Sequence, residues 1–262
     1  MVAITGATSG IGKALARQYL AMGARVAVCA RSMDALQQMD TDFNSENFIG
    51  VQADVSKREQ AENFIHTTIS HFGKLDILIN NAGISMRALV EDVSIPVLQQ
   101  VMDVNYWGMV YCTKAALSQI KENKGTIAGI SSIAGYKGLP GRSAYSSSKF
   151  AMQGFLESLR IELLPTGANV MWISPGFTAS NIRNTALAAD GSSQGETPLQ
   201  ENKLMSAEEC AELIIKAVNH RKRSVVMTRQ GKLLVWLNKF FPKWADKMVY
   251  QHFKKEANSP LQ

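Results

Sequence analysis

Tyr145 and Lys149, in Ser143-Ala144-Tyr145-Ser146-Ser147-Ser148-Lys149, are the pair most able to do chemistry in this 262-residue chain. On a helix a spacing of four puts both side chains on one face. A phenol with a pKa near 10 is a poor acid–base at neutral pH, and a neighbouring ammonium is expected to lower it by favouring the phenolate. The spacing alone equally describes an ordinary amphipathic helix face. Its weight comes from company. Ser132 closes a β-like run in Ile130-Ser131-Ser132-Ile133-Ala134-Gly135, Asn80-Asn81-Ala82-Gly83 follows another such run, and Asn105 lies in a helical stretch.

A glycine-rich turn, Thr5-Gly6-Ala7-Thr8-Ser9-Gly10-Ile11-Gly12, joins the first β-like run to a helical pattern. Glycines permit a tight turn and close backbone approach, and a helix N-terminus offers free N–H groups and the positive end of a dipole, together a cradle for a pyrophosphate. The spacing is GxxxGxG rather than GxGxxG. At the end of the second β-like run stand Ala30, Arg31 and Ser32 in place of the carboxylate that would hold the ribose 2′-hydroxyl of NAD. A guanidinium there suits a 2′-phosphate, so NADP(H) is expected in preference to NAD(H). No arginine or lysine stands inside the turn itself. Ser9 occupies the position, and Lys13 just beyond could substitute in part.

Taken together, the turn, Asp54, Asn-Asn-Ala-Gly, Asn105, the Ser–Tyr–Lys set and Pro175-Gly176 appear in the order found in the short-chain dehydrogenase/reductase family, which this sequence resembles from Thr5 to Gly176. The resemblance implies a Rossmann-like fold and hydride transfer between a nicotinamide and a carbonyl or secondary alcohol. It implies Tyr145 as general acid–base, and Lys149 as holder of the nicotinamide ribose and depressor of the tyrosine pKa. Ser132 would bind the substrate oxygen, and Asn105 would keep a water linked to Lys149. For the cofactor it implies Gly6, Thr8, Ser9, Gly10, Ile11 and Gly12 at the phosphates, with Arg31 and Ser32 at the adenosine end. Asp54 and Val55 fall beside the adenine, Asn81, Ala82 and Gly83 along the ribose, and Pro175, Gly176 and Thr178 beside the nicotinamide amide. A homodimer or homotetramer built on the Tyr145 helix is also implied. Beyond Gly176 the pattern fades and says little of the substrate, for which the apolar surface of the C-terminal tail alone gives a preference, toward an apolar or lipid-like one. A 3-oxoacyl-thioester reductase and a non-catalytic NADP-binding sensor or scaffold are the rival readings, the second weakened by the presence of both Tyr145 and Lys149.

The elements that must position these residues are legible as alternation. Residues 2–5, 25–29, 48–52, 75–79, 126–130, 169–173 and 225–228 read as strands, several apolar on both faces, with helical patterns between them. Ser56 is expected to cap the helix running to about Phe72, and Ser206-Ala207-Glu208-Glu209 fits a capping box. The pattern predicts an α/β fold, a doubly wound parallel sheet of about seven strands, with ligands outside the C-terminal strand ends. One domain is expected, with residues 1–230 as the catalytic part and 231–262 as a basic amphipathic helical extension. Residues 178–204, with Gly191, Ser192, Ser193, Gly195 and Pro198, read as a long mobile loop over the site, able either to close on an apolar substrate or to serve only as a crossover.

Composition narrows the class further. Apolar residues at 46% and charged residues at 19% allow a large core. Cys29, Cys112 and Cys210 lack CxxC spacing and the four histidines do not cluster, so neither a metal site nor a disulfide framework is expected. No leader peptide and no spanning helix are read, which fits a cytoplasmic protein, at most peripheral at a membrane. The charge is uneven. Between Lys216 and Lys255 stand eleven Lys/Arg and one acid, Asp246, so this stretch carries +10 in a chain of net +6. There Leu233, Trp236, Leu237, Phe240, Phe241, Trp244 and Met248 recur near helical spacing among Lys232, Lys239, Lys243 and Lys247, with Pro242 as a break. Such a helix can lie on an anionic membrane. Packing of its apolar face over the pocket or on a neighbouring subunit is the favoured reading, because aromatic stripes are more often core or interface. No nucleic-acid-binding motif accompanies the charge.

Overall fold

The computed structural model of the protein describes residues 1–178, 181–195, 204–256 and 259–261. Seven strands form one parallel sheet: β1 (Val2–Thr5), β2 (Val26–Ala30), β3 (Phe48–Gln52), β4 (Ile77–Asn80), β5 (Thr126–Ile130), β6 (Asn169–Ser174) and β7 (Ser224–Val226), in the order β3-β2-β1-β4-β5-β6-β7. Every residue of β1 and β5 is buried. Strands covered on both sides need apolar residues at successive positions, so Val-Ala-Ile-Thr and Thr-Ile-Ala-Gly-Ile read as unbroken runs rather than alternations. Val2 lies opposite Val26 on one side and Ile77 on the other.

The chain leaves β1 toward β2 and β3, then returns to set β4 on the opposite side of β1. That reversal opens a crevice above the strand ends. One face of the sheet is covered by α1 (Gly10–Ala21), α2 (Met33–Phe43) and α7 (Ala207–Asn219), whose core holds Leu15, Leu36 and Ile214. The other is covered by α3 (Arg58–Phe72), α5 (Gly108–Glu122) and α6 (Ser143–Glu162), around Phe64, Ile120 and Leu156. A smaller cluster, with Met86, Val97, Val101 and Ala144, joins α4 (Ile95–Met102) to α6.

Cap chemistry agrees with sequence at one helix and departs at another. Ser206 caps α7, its hydroxyl accepting from Glu209 N at 3.0 Å. Ser56 does not cap α3. Its N–H and hydroxyl both donate to Asp54 Oδ1, at 2.9 and 2.8 Å, and the extended residue before the helix is Lys57. A carboxylate two residues away competes successfully for that serine. Pro242 separates α8 (Arg229–Phe240) from α9 (Pro242–Lys254) and stands at the N-terminus of α9, where its missing N–H costs nothing.

The expected 178–204 loop is more anchored than its composition suggests. Leu187 accepts from Arg87 N at 2.8 Å and donates to Ser85 O at 2.9 Å, a short β-bridge beside Met86. The rest of that segment, residues 179–180 and 196–203 with Pro198 among them, lies outside the described residues, as do 257–258 and 262 of the extension.

Candidate active site

The strand ends surround a cavity of about 470 Å³, within the usual range of small-molecule sites. At one end stand Arg31, Asp54 and Val55, at the other Ser132, Tyr145, Arg142 and Arg183, with the glycine turn and Asn81-Ala82-Gly83 between. Thr8, Ser9, Gly10, Ile11, Lys149, Pro175, Gly176 and Thr178 also line it. Of the residues singled out from sequence, Gly12, Ser32 and Asn105 stand behind the wall. Ser32 caps α2 by accepting from Ala35 N at 3.2 Å.

The glycine turn is built for close approach. Gly6 has φ +65°, and a Cβ there would meet Ala82 Cα at 2.7 Å. A Cβ on Gly12 would meet Gly6 O at 2.5 Å and Asn81 Nδ2 at 2.6 Å, so Gly12 lets α1 pack under the turn. Asn81 Nδ2 donates to Thr5 O and Gly6 O at 2.9 and 2.8 Å, while Thr5 Oγ1 accepts from the N–H groups of Asn81 and Ala82, each at 3.0 Å. Ser9 precedes α1 with no side-chain cap, so its first N–H groups face the crevice unsatisfied by a side chain. Lys13, just beyond the turn, pairs with Asp42 at 3.2 Å.

Tyr145 and Lys149 share the inner face of α6. Lys149 is buried, and Nζ donates to Ile130 O at 2.9 Å, tying α6 to the end of β5. Nζ sits 5.6 Å from the centre of the Tyr145 ring. Lys149 is not among the groups that lower the Tyr145 pKa here. Burial raises it, opposed by a hydrogen bond with Ser132 and the positive fields of Arg142 and Arg183. Burial also pushes Lys149 down to about 8. Ser132 closes onto the turn after β5, its hydroxyl accepting from Ala134 N at 3.2 Å.

Asn105 is fully buried in a π-helical turn, Asp103–Trp107, between α4 and α5. Its Oδ1 accepts from Ile84 N at 2.8 Å, and its Nδ2 donates to Ile84 O and Ser148 Oγ, each at 2.9 Å. Ser148 in turn donates to Tyr145 O at 2.7 Å. π-turns are rare and concentrate at functional sites. Here the side chain clamps the chain after Gly83 to α6.

Sequence reasoning missed three groups at the substrate end. Arg142, one turn before Tyr145, lines the cavity, stacks its guanidinium 4.5 Å from the Phe253 ring and pairs with Glu256 at 3.2 Å. Its spacing from Tyr145 was a usable signal. Arg183 also lines the cavity and donates to Thr178 O at 2.8 Å. Phe253 arrives from α9, for which no local signal exists. Glu256 joins the same cluster through Arg87 at 3.5 Å, buried on both sides. Cys29 reaches the cavity wall, but burial pushes its thiol up to about 12, leaving no thiolate at neutral pH.

A parallel dinucleotide-type sheet with a serine, a tyrosine and a buried lysine at its switch point defines a class of nicotinamide-dependent oxidoreductases. Comparison with known proteins agrees. The profile described as short chain dehydrogenase matches residues 1–190. The chain is 36% identical over 269 residues to the dehydrogenase/reductase SDR family member 7B of Rattus norvegicus, covering 99% of this chain and 83% of the relative. It is 36% identical over 246 residues to the 11-beta-hydroxysteroid dehydrogenase-like 4A of Arabidopsis thaliana, covering 92% and 81%. Among solved structures, the alcohol dehydrogenase of the archaeon Thermococcus sibiricus complexed with 5-hydroxy-NADP superposes with a TM-score of 0.76 at 26% identity, over 86% of this chain and 95% of that one. A short chain dehydrogenase/reductase of Burkholderia phymatum in complex with NAD shares the fold with a TM-score of 0.82 at 22% identity, over 93% and 94%. The chain belongs to the short-chain dehydrogenase/reductase family.

Proposed function

We propose that this protein is an NADP(H)-dependent oxidoreductase that interconverts a carbonyl and a secondary alcohol on an apolar substrate. The observation that carries the reading is the convergence of Ser132, Tyr145 and Lys149 at one end of a cavity whose other end is lined by Arg31. The residues present fit a dinucleotide: glycines at 6 and 12, where any Cβ would fill the turn, an α1 N-terminus without a side-chain cap, and Arg31 where a carboxylate would repel a 2′-phosphate. When bound, the nicotinamide supplies or accepts the hydride. The chain's own task is at the oxygen. Ser132 and Tyr145 offer hydroxyls to an oxygen gaining negative charge, and stabilising charge where it develops lowers the barrier. A tyrosine held above its ordinary pKa is protonated at neutral pH, the form required to deliver a proton in carbonyl reduction. In this reading Lys149 and Asn105 position α6 and the ribose, and Asp54, Val55, Asn81, Ala82, Gly83, Pro175, Gly176 and Thr178 line the cofactor. Residues 1–230 form the catalytic domain and 231–262 its extension. Phe253 and Phe177 at the substrate end support an apolar substrate. Trp107, Phe150 and Ile161, exposed on α6 and at the start of α5, support a contact between copies. The three cysteines, all buried free thiols, support a reducing, cytoplasmic setting.

The direct test is NADPH oxidation across ketones, ketosteroids and 3-oxoacyl thioesters. Tyr145→Phe should cut turnover by about 10²–10⁴-fold while NADPH still binds. Near-normal turnover defeats the assigned role, and cofactor binding without turnover of any carbonyl by the unaltered protein moves the reading to a sensor. Arg31→Asp should reverse the NADPH/NADH ratio of kcat/KM; an unchanged ratio removes the cofactor preference.

A further inference from the structure

Apart from Phe253, the large apolar residues of the extension do not line the pocket. Leu233, Trp236, Phe240, Phe241, Trp244 and Met248 are 50–69% exposed. The buried contacts of α8 and α9 are instead made by Gly231, Ala245, Val249 and Phe253. Leu233, Trp236 and Phe240 recur at helical spacing along one face of α8. Trp236 sets its ring 5.6 Å from Phe240 and 5.7 Å from Phe241, which carries the patch across the α8–α9 corner. Trp244 and Met248 follow one turn apart on α9. Lys232, Lys239, Lys243 and Lys247 are interleaved and exposed, with Lys239 Nζ 5.5 Å from the Phe240 ring centre.

We propose that this face docks the protein on a lipid surface bearing anionic headgroups. Three observations favour that occupant. The face is not spent on the protein's own core, because the helices already bury their opposite residues. Its charge is of one sign: between Arg229 and Lys255 the one acid is Asp246, which is already paired with Lys137. A two-fold contact with a second copy would bring the same patch against itself and set lysine against lysine. Tryptophans and phenylalanines fringed by lysines are the composition of a helix lying at a headgroup boundary, the rings entering the acyl edge while the ammoniums meet phosphates. The association is peripheral, since no helix among the described residues is long and apolar enough to cross a membrane. Because α9 also carries Phe253 to the cavity, the docked face and the substrate end share one helix. This inference stands apart from the oxidoreductase reading, and neither fails with the other.

The experiment is co-sedimentation of the full chain with vesicles of phosphatidylcholine alone and with 30% phosphatidylserine, at low and high salt, alongside size measurement by light scattering. The unaltered protein should sediment with the anionic vesicles, weakly or not at all with the neutral ones, and less at high salt. Trp236→Ser/Phe241→Ser/Trp244→Ser should weaken anionic-vesicle binding at least tenfold, with cofactor binding and oligomeric size unchanged. Lys239→Glu/Lys243→Glu/Lys247→Glu should do the same while leaving every apolar residue in place, so the test survives if the aromatic variant fails to fold. Absence of sedimentation with anionic vesicles, or binding that neither variant alters, overturns the proposal. So does a smaller oligomer in either folded variant, which would assign the face to a contact between copies, or a stronger preference for a single-stranded oligonucleotide than for anionic vesicles.

Discussion

At neutral pH Lys149 is charged in a place that disfavours charge. Burial lowers its pKa to about 8, and its ammonium donates to Ile130 O. An unfolded lysine titrates near 10.4. Below pH 8 both states hold the proton, and the native state carries the full cost of the buried ammonium. Between 8 and about 10.4 the native state loses the proton first, so stability rises with pH, and above that range the cost is gone. Lys149→Met should therefore be more stable than the unaltered protein at pH 7, by on the order of 1–3 kcal/mol, part of the gain being offset by the Ile130 carbonyl left without a donor. The difference should shrink toward pH 10, and denaturant titrations at pH 7 and 10 check it. A Met variant less stable at both values would show that the Ile130 bond outweighs the buried charge. The spacing of Tyr145 and Lys149 was legible because a helix turns a difference of four into a shared face. Where the ammonium points was not, because the competing acceptor, Ile130 O, lies on another strand.

At the scale of elements, the extension is held to the catalytic body through Glu256, whose carboxylate meets Arg87 at 3.5 Å and Arg142 at 3.2 Å. Removing the charge leaves two guanidiniums buried side by side. Glu256→Gln should lower stability by about 1–3 kcal/mol, since the amide keeps part of the hydrogen bonding. For a chain of this size that is a fall in Tm of roughly 3–10 °C. Thermal unfolding reads the shift, and an unchanged Tm would show that Phe253 and its neighbours hold the helix without help. Strands and most helices were legible from runs of apolar residues and caps, and Pro242 marked the α8–α9 corner. The Arg87–Glu256–Arg142 cluster was not, because it joins three distant stretches with no common period. Ser56 was misread for a related reason: a capping serine and a serine bound to a nearby aspartate look alike until the backbone shows which acceptor wins.

For the whole molecule, the crevice lies where the chain reverses its direction across the sheet, so its two walls belong to different halves of the strand order. A dinucleotide spanning them would bind the folded state alone. NADPH at a hundred times its Kd should stabilise by about 2.7 kcal/mol, a rise in Tm of roughly 5–10 °C. NADH at the same concentration should give less, if Arg31 reads the 2′-phosphate. Differential scanning fluorimetry with both cofactors measures this, and equal shifts would remove the discrimination assigned to Arg31. The parallel sheet of about seven strands was legible because each half repeats a strand–helix alternation, while the order of the strands came only with the tertiary fold. The substrate end was not, since it is assembled from Arg142, Arg183 and Phe253, brought together only by the tertiary fold.

The wide turn at Asp103–Trp107 has a bearing on which changes of length the protein can tolerate. Such a turn is one residue in surplus over regular α-helix and takes that residue up locally. Losing a single residue there would restore the ordinary hydrogen-bond ladder with the flanking helix halves close to their present phase. What would change is the placement of Asn105, which holds Ile84 and Ser148 from within the widened turn. Insertions and deletions should thus be less welcome in this turn, which holds the buried Asn105, than in the exposed stretches that join the other elements.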